Sequence, residues 1–233
     1  MKSRIKVLGL ALSVIGLLFM GGGVFAYTMV ADGQHALQSF SEAQNVTLTY
    51  NEDGQLVDRG EVAGAEAILD LLENDWGYAV VASDLDPNDP LVNTGTEYMY
   101  QMALIAHHTL TGTNTVVLTE DTEYNGETFP AGTYEVATDG KYWTDFDRSH
   151  PLEGPAREMA WTGTAHGLVG ELGVGSVTAS TLQLGLGIVA LIEGLGLVFI
   201  GTGLALIWVA AGDRKKELKE APAIESIDEP ATV

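Results

Sequence analysis

Leu182–Ala211 reads LQLGLGIVALIEGLGLVFIGTGLALIWVAA, thirty residues in which Glu193 is the one charged group. An α-helix needs about 20 apolar residues to cross a bilayer, so this run is long enough with residues to spare. A second apolar run, from Val7 to about Val30, lies near the opposite end of the chain. The pair predicts two transmembrane α-helices flanking one intervening domain.

The residues beside the runs orient them. Lys2, Arg4 and Lys6 precede the first, and Arg214, Lys215, Lys216 and Lys219 follow the second. The inner flanks, Thr28–Val46 and Met159–Thr181, hold no Lys or Arg. By the positive-inside rule both termini are cytoplasmic and the middle is extracellular. The expected layout is a cytoplasmic N-terminus at 1–6, spans at 7–30 and 181–211, an extracellular domain at 31–180 and a disordered or weakly helical cytoplasmic tail at 212–233. A cleaved signal peptide is the rival reading of the first run, with Val24-Phe25-Ala26 as a small-residue cleavage site. The run exceeds the usual 7–15-residue signal core, which favours a retained span.

All of the net charge lies between the spans. Twenty-five Asp and Glu stand there against Arg59, Lys141, Arg148 and Arg157, a difference equal to the whole-chain charge of −21. Such a surface repels nucleic acid and anionic headgroups and favours cations or basic partners. Adaptation to salty surroundings, where screening relaxes self-repulsion, accounts for the same charge without any ligand. The chain has no cysteine, so a core facing an oxidising compartment must hold without disulfides.

Periodicity outlines an α+β domain. Gly33–Gln44 carries a weak helical pattern that extends the first span, and Val46–Tyr50 alternates as a strand before an Asn51–Gly54 turn. Ala63–Glu73 and Tyr98–Leu110 show apolar stripes at helical spacing, with Tyr78–Ala82 a short strand between them. From Thr115 to Phe146 the period falls to two. Asn125-Gly126, Pro130-Ala131-Gly132 and Asp139-Gly140 punctuate the runs, predicting a small antiparallel meander of three or four strands that ends with Lys141–Phe146. Helix resumes at Ala156, and five glycines between Gly163 and Gly175 argue against one unbroken rod into the second span.

Two groups of residues invite a functional reading. An ionisable residue inside a span is a functional candidate by default. Glu193 lies 15–20 residues from Trp208 or Asp213, about 22–30 Å along a helix, which places it in the outer leaflet level with Gly21, Gly22 and Gly23. It falls within an arc of small residues, Gly187, Gly194 and Gly201 with Ala190 and Gly196 nearby, that permits close helix approach. A polar lock, a proton site or a contact with another membrane protein fits; so does an unpaired Glu reaching the outer surface. The second group is Asp84, Asp86, Asn88 and Asp89, oxygen ligands arranged much as in calcium loops. The helix–loop–helix version would place Gly and Glu where Asp89 and Gly95 stand, so a Ca site here is nonstandard, and a solvated acidic turn is the alternative. His107 and His108 diverge by about 100° on a helix and do not readily share a metal. No catalytic triad order, phosphate loop or carboxylate pair emerges, so no enzyme is expected.

The stretch from His107 through Gly140-Lys141-Tyr142 to Asp147-Arg148-Ser149-His150-Pro151 and Ala156-Arg157, with the glycine-rich second span, resembles a family of small actinobacterial two-span membrane proteins. In that family an extracellular segment carries a His, a Gly-Lys-x-Tyr element and an acidic-Arg-x-x-Pro element before the second span. The resemblance covers some 90–100 residues, and here Thr115–Thr138 is inserted between the first two elements. It implies the two-span topology and no particular activity. Such proteins are often labelled aromatic ring-opening dioxygenases, a chemistry that needs iron held by two His and a carboxylate. These residues do not make that constellation evident. The sequence therefore reads as a structural or accessory cell-envelope protein, in contact with membrane lipid and either self-associating or bound to another membrane protein. The alternative is an extracellular binding module for a divalent cation or a basic ligand.

Overall fold

The computed structural model describes residues 2–220, with the side chains of 3–211. Among the described residues five α-helices are present: α1 (Lys2–Gln44), α2 (Val62–Asp70), α3 (Gly95–Leu110), α4 (Glu153–Ala160) and α5 (Gly163–Glu220). Four short strands lie between α3 and α4: β1 (Thr113–Leu118), β2 (Thr122–Tyr124), β3 (Glu127–Phe129) and β4 (Gly132–Ala137). The chain forms two compact units, one from Met1–Asp32 with Leu184–Val233 and one from Gly33–Gln183.

The first unit is an antiparallel helix pair. Its register follows from close approaches: Gly9 beside Gly203, Gly16 beside Gly196 and Val30 beside Gly185. Buried positions recur every seven residues, Gly9, Gly16 and Gly23 on α1 and Val189, Gly196, Gly203 and Ala210 on α5. A seven-residue repeat is the seam of a left-handed helix pair. The large aliphatic residues point away from it; Val7, Leu10, Leu18, Leu191 and Leu197 are each exposed. Both helices are long and apolar enough to cross a membrane, with apolar windows of mean hydropathy 2.2.

The glycines do not interrupt α5, contrary to expectation, and helix continues past Ala211 to Glu220. A glycine costs helix stability mainly through backbone entropy, and close packing can offset that cost. At Gly175 an added methyl would come within 2.6 Å of the Tyr98 ring, so this glycine lets α3 lie against α5. The tail, expected to be disordered or weakly helical, begins as helix, while 221–233 lies outside the described residues. α1 runs unbroken to Gln44, where Asn45, at φ 52°, closes the helix by donating its N–H to the Ser41 carbonyl.

In the second unit, α2 and α3 pack around Ile68, Leu72, Tyr100, Ala103 and Ala106, joined by Phe146 and Trp161. α2 ends in a wide π-helical turn, Leu71–Asp75, that buries Leu71 and Leu72. α3 starts three residues before the predicted Tyr98 because Thr94 and Glu97 form a capping box. The expected strands Val46–Tyr50 and Tyr78–Ala82 do not form. The first makes only isolated bridges, Thr47 to Leu91 and Tyr50 to Leu56, and the second is irregular and leads into a 3-10 turn at Ala82–Asp84.

The predicted meander is instead one hairpin nested within another. β1 pairs with β4 and β2 with β3, both antiparallel. Asn125 and Gly126, at φ 51° and 83°, make the tight reversal. Pro130 has no N–H to offer and breaks the ladder, while the next residue, Ala131, donates its N–H to the Asp121 carboxylate. The expected last strand, Lys141–Phe146, is a series of turns. Asp145 accepts the Tyr142 N–H on its side chain and returns its own N–H to the Tyr142 carbonyl, withdrawing both groups from any ladder.

Candidate functional site

Glycine at the helix seam is required by contact distance. A methyl on Gly9 would lie 2.6 Å from the Gly203 carbonyl oxygen, and one on Gly16 would lie 2.6 Å from that of Gly196. Ser13 donates its hydroxyl to the Gly9 carbonyl at 3.0 Å, as serines inside apolar helices do to avoid an unpaired group. Phe19 and Phe199 meet with ring centroids 5.6 Å apart. The packed glycines of α5 include Gly196 and Gly203; of the expected arc, Gly196 is in contact with α1. Gly187, Gly194 and Gly201 have open space at the Cβ position, and Ala190 is exposed. The two sets are offset by two residues, about 200° around the helix, so they occupy nearly opposite faces.

Glu193 reaches back toward α1. Its Cγ and carboxylate occupy the space that a side chain at Gly23 would fill. Gly21 and Gly22 face open space, so of the three glycines Gly23 alone adjoins Glu193. Among the described residues no Lys, Arg or His forms an ion pair with Glu193.

The aspartate loop is closed by its own hydrogen bonds. Asp86 accepts both the backbone N–H and the side-chain amide of Asn88, at 2.8 and 2.9 Å, closing a local turn. These hydrogen bonds hold its pKa below the usual carboxylate value. Asp84 belongs to the 3-10 turn, and Asp89 forms a bridge back to Asp86. Among the described residues no three His, Asp or Glu side chains converge as metal ligands. Of the four residues expected to hold Ca, Asp84, Asp86, Asn88 and Asp89, the structure joins Asp86 to Asn88 through a single carboxylate oxygen that closes the local turn.

The histidines disperse. His108 Nε2 lies 3.0 Å from Asp58 Oδ1, while His107, whose pKa is lowered by burial, lines a separate pocket with Asp70, Asp75 and Tyr142. His150 Nδ1 accepts the N–H groups of Leu152 and Glu153 at the start of α4. His166 packs its ring against Trp143 and Trp161. Each is engaged locally.

Sequence reasoning missed how the segment from Lys141 to Trp161 is organised. Lys141 Nζ pairs with Glu153 Oε1 at 2.7 Å, and the other Glu153 oxygen accepts the Asp147 N–H at 2.9 Å. The pairing with Lys141 holds the Glu153 pKa below the usual carboxylate value. Tyr124, on the hairpin, donates its hydroxyl to Asp147. Arg157 is buried with its guanidinium stacked 3.3 Å from the Trp143 ring centroid, and Trp161 donates its indole N–H to the Lys141 carbonyl. Tyr124, Lys141, Asp147, Glu153 and Trp161 are therefore interlocked, with Arg157 and Trp143 stacked beside them. Their density of charged and aromatic types in a short segment was the available signal.

Glu97 is a second missed residue. It is 1% exposed, and one carboxylate oxygen accepts the N–H groups of Asn93 and Thr94 at 2.9 and 2.8 Å. Burial raises its pKa against the opposing effect of those hydrogen bonds. A capping role explains it fully.

Comparison with protein-family models, curated proteins and solved structures returns no match to this chain.

Proposed function

We propose that the chain is an integral membrane protein with both termini cytoplasmic and residues 31–180 extracellular, a structural or accessory component of the cell envelope. The observation that carries this reading is the exposure of the two long helices. Their apolar windows are only 17% and 11% buried, whereas an apolar helix serving as the core of a soluble protein would be mostly enclosed. The flanking basic residues supply the orientation. The resemblance to actinobacterial two-span proteins agrees with the same topology.

Partners follow from the surfaces. Bilayer lipid would cover the exposed aliphatic faces, and a helix of another membrane protein or of a second copy would pack on the open arc of Gly187, Ala190, Gly194 and Gly201. The acidic surface of the outer domain favours a divalent cation or a basic ligand over any anionic one.

The absence of cysteine allows a direct test. An impermeant maleimide on intact cells labels Asp121→Cys and spares Ser3→Cys, and the protein stays with the membrane through an alkaline carbonate wash. Labelling of Ser3→Cys alone would invert the topology. Release by carbonate would refute insertion.

A further inference from the structure

A cleft of about 430 Å³ opens within the unit formed by Gly33–Gln183. That volume lies in the range of small-molecule sites. Its walls are apolar: Leu37 and Phe40 from α1, Val46, and Leu168, Leu172 and Val174 from α5. The polar groups deepest in it are already paired, since the buried Ser41 and Tyr98 hydroxyls bond each other at 2.8 Å. Such a surface offers nothing to a polar ligand and much to a hydrocarbon. Gln44, Glu171 and Thr178, the remaining polar side chains, are exposed.

The helices on either side indicate the source of the hydrocarbon. Both belong to the helices that carry the apolar runs: Thr178 is one turn from Leu182 along α5, and Leu37 is two turns from Val30 along α1. From Leu172 to Ile192, α5 carries no charged residue, so its wall of the cleft is continuous in character with the span. Val174 and Val177 on this stretch are 68% and 67% exposed, an apolar surface beside the opening. Glu171 disfavours an anionic headgroup by like-charge repulsion.

We propose that this cleft binds one alkyl chain of a membrane lipid with a neutral or zwitterionic headgroup. This rests on the bilayer reading above. The outer domain is then a lipid-engaging module, and its acidic surface excludes anionic lipids from the site.

The test uses the full chain in phosphatidylcholine vesicles doped with phosphatidylcholine bearing a diazirine at the end of one acyl chain. Adducts are mapped by mass spectrometry after irradiation. Adducts within 7–30 and 182–211 report the spans, and adducts within 37–46 and 168–178 report the cleft. Thr178→Trp and Gln44→Trp each place bulk at an exposed edge of the cleft. Each is expected to lower cleft labelling about tenfold, the scale of excluding about two methylenes, while span labelling stays constant. Span adducts without cleft adducts overturn the proposal and leave the membrane reading standing. Cleft labelling that neither variant lowers, or crosslinks between two copies in place of lipid adducts, also overturns it. Cleft adducts without span adducts keep the alkyl site and refute the spanning topology. Labelling of neither region refutes both.

Discussion

The helix pair and the domain formed by Gly33–Gln183 bury opposite kinds of residue. In the pair the smallest side chains meet, Gly9, Gly16, Gly196 and Gly203, while most leucines and valines face outward and Val189 is an exception. In the domain Ile68, Leu72 and Tyr100 are enclosed, and the acidic side chains lie largely at the surface. Where the surroundings are as apolar as leucine, burying leucine gains nothing, and close backbone approach is what remains. In water the large apolar side chains carry the stabilisation. On the proposed membrane reading, each unit suits a different solvent.

The largest expected effect tests the domain half of that contrast. Leu72→Ala should destabilise the outer domain by about 2–5 kcal/mol, the cost of a cavity in a closed core. Thermal unfolding followed by near-UV circular dichroism reads the loss, with membrane retention unchanged. An effect below that range would mean that Leu72 is not held in a tight core.

Next is the seam. Gly16→Leu should cost about 1–3 kcal/mol through overpacking against Gly196, whereas Gly194→Leu on the open face should be nearly neutral in the monomer. Melting of the purified protein in detergent ranks the pair. Equal effects would erase the distinction between the two faces of α5.

Thr94→Ala should cost about 1 kcal/mol by removing one half of the capping box at α3. Amide hydrogen exchange should then accelerate first at Glu97, whose N–H the Thr94 hydroxyl accepts.

The smallest effect is acid sensitivity. The Glu153 pKa is depressed in the folded protein, so its ion pair with Lys141 stabilises above the unfolded carboxylate pKa and is lost as pH falls through the folded value. Both partners are partly exposed, so the contribution is about 0.5 kcal/mol. The raised Glu97 pKa acts oppositely: its contribution is full below the unfolded carboxylate pKa and declines as pH rises through the folded value. Melting temperatures between pH 3 and 6 for Lys141→Met and the unsubstituted chain isolate the Glu153 share. The gap between them should narrow at the acid end.

Local chemistry was legible where one residue type dictates one conformation. Asn125-Gly126 announced its reversal, and the apolar stripe Met99, Met102, Ala103, Ala106 announced α3. Partner choice was not legible. Thr115–Phe146 has the alternation of four strands, but alternation fits a meander as well as nested hairpins, and Pro130 and Asp145 decided between them through individual N–H groups. The same limit applied to the candidate site. The heptad Gly187, Gly194, Gly201 is as regular in sequence as the one that packs, because a helix carries small residues on several faces.

By itself the sequence determined the two apolar runs, the asymmetry of charge around them and an α+β region between, since all of these follow from composition and period. Tertiary structure alone decided which glycine face closes against α1, that Glu193 lies over Gly23, that the aspartate loop serves its own turn and that Leu37, Phe40 and Leu172 enclose a cleft. These are relations between residues far apart in the chain. Their energy depends on distance and direction, which periodicity does not encode.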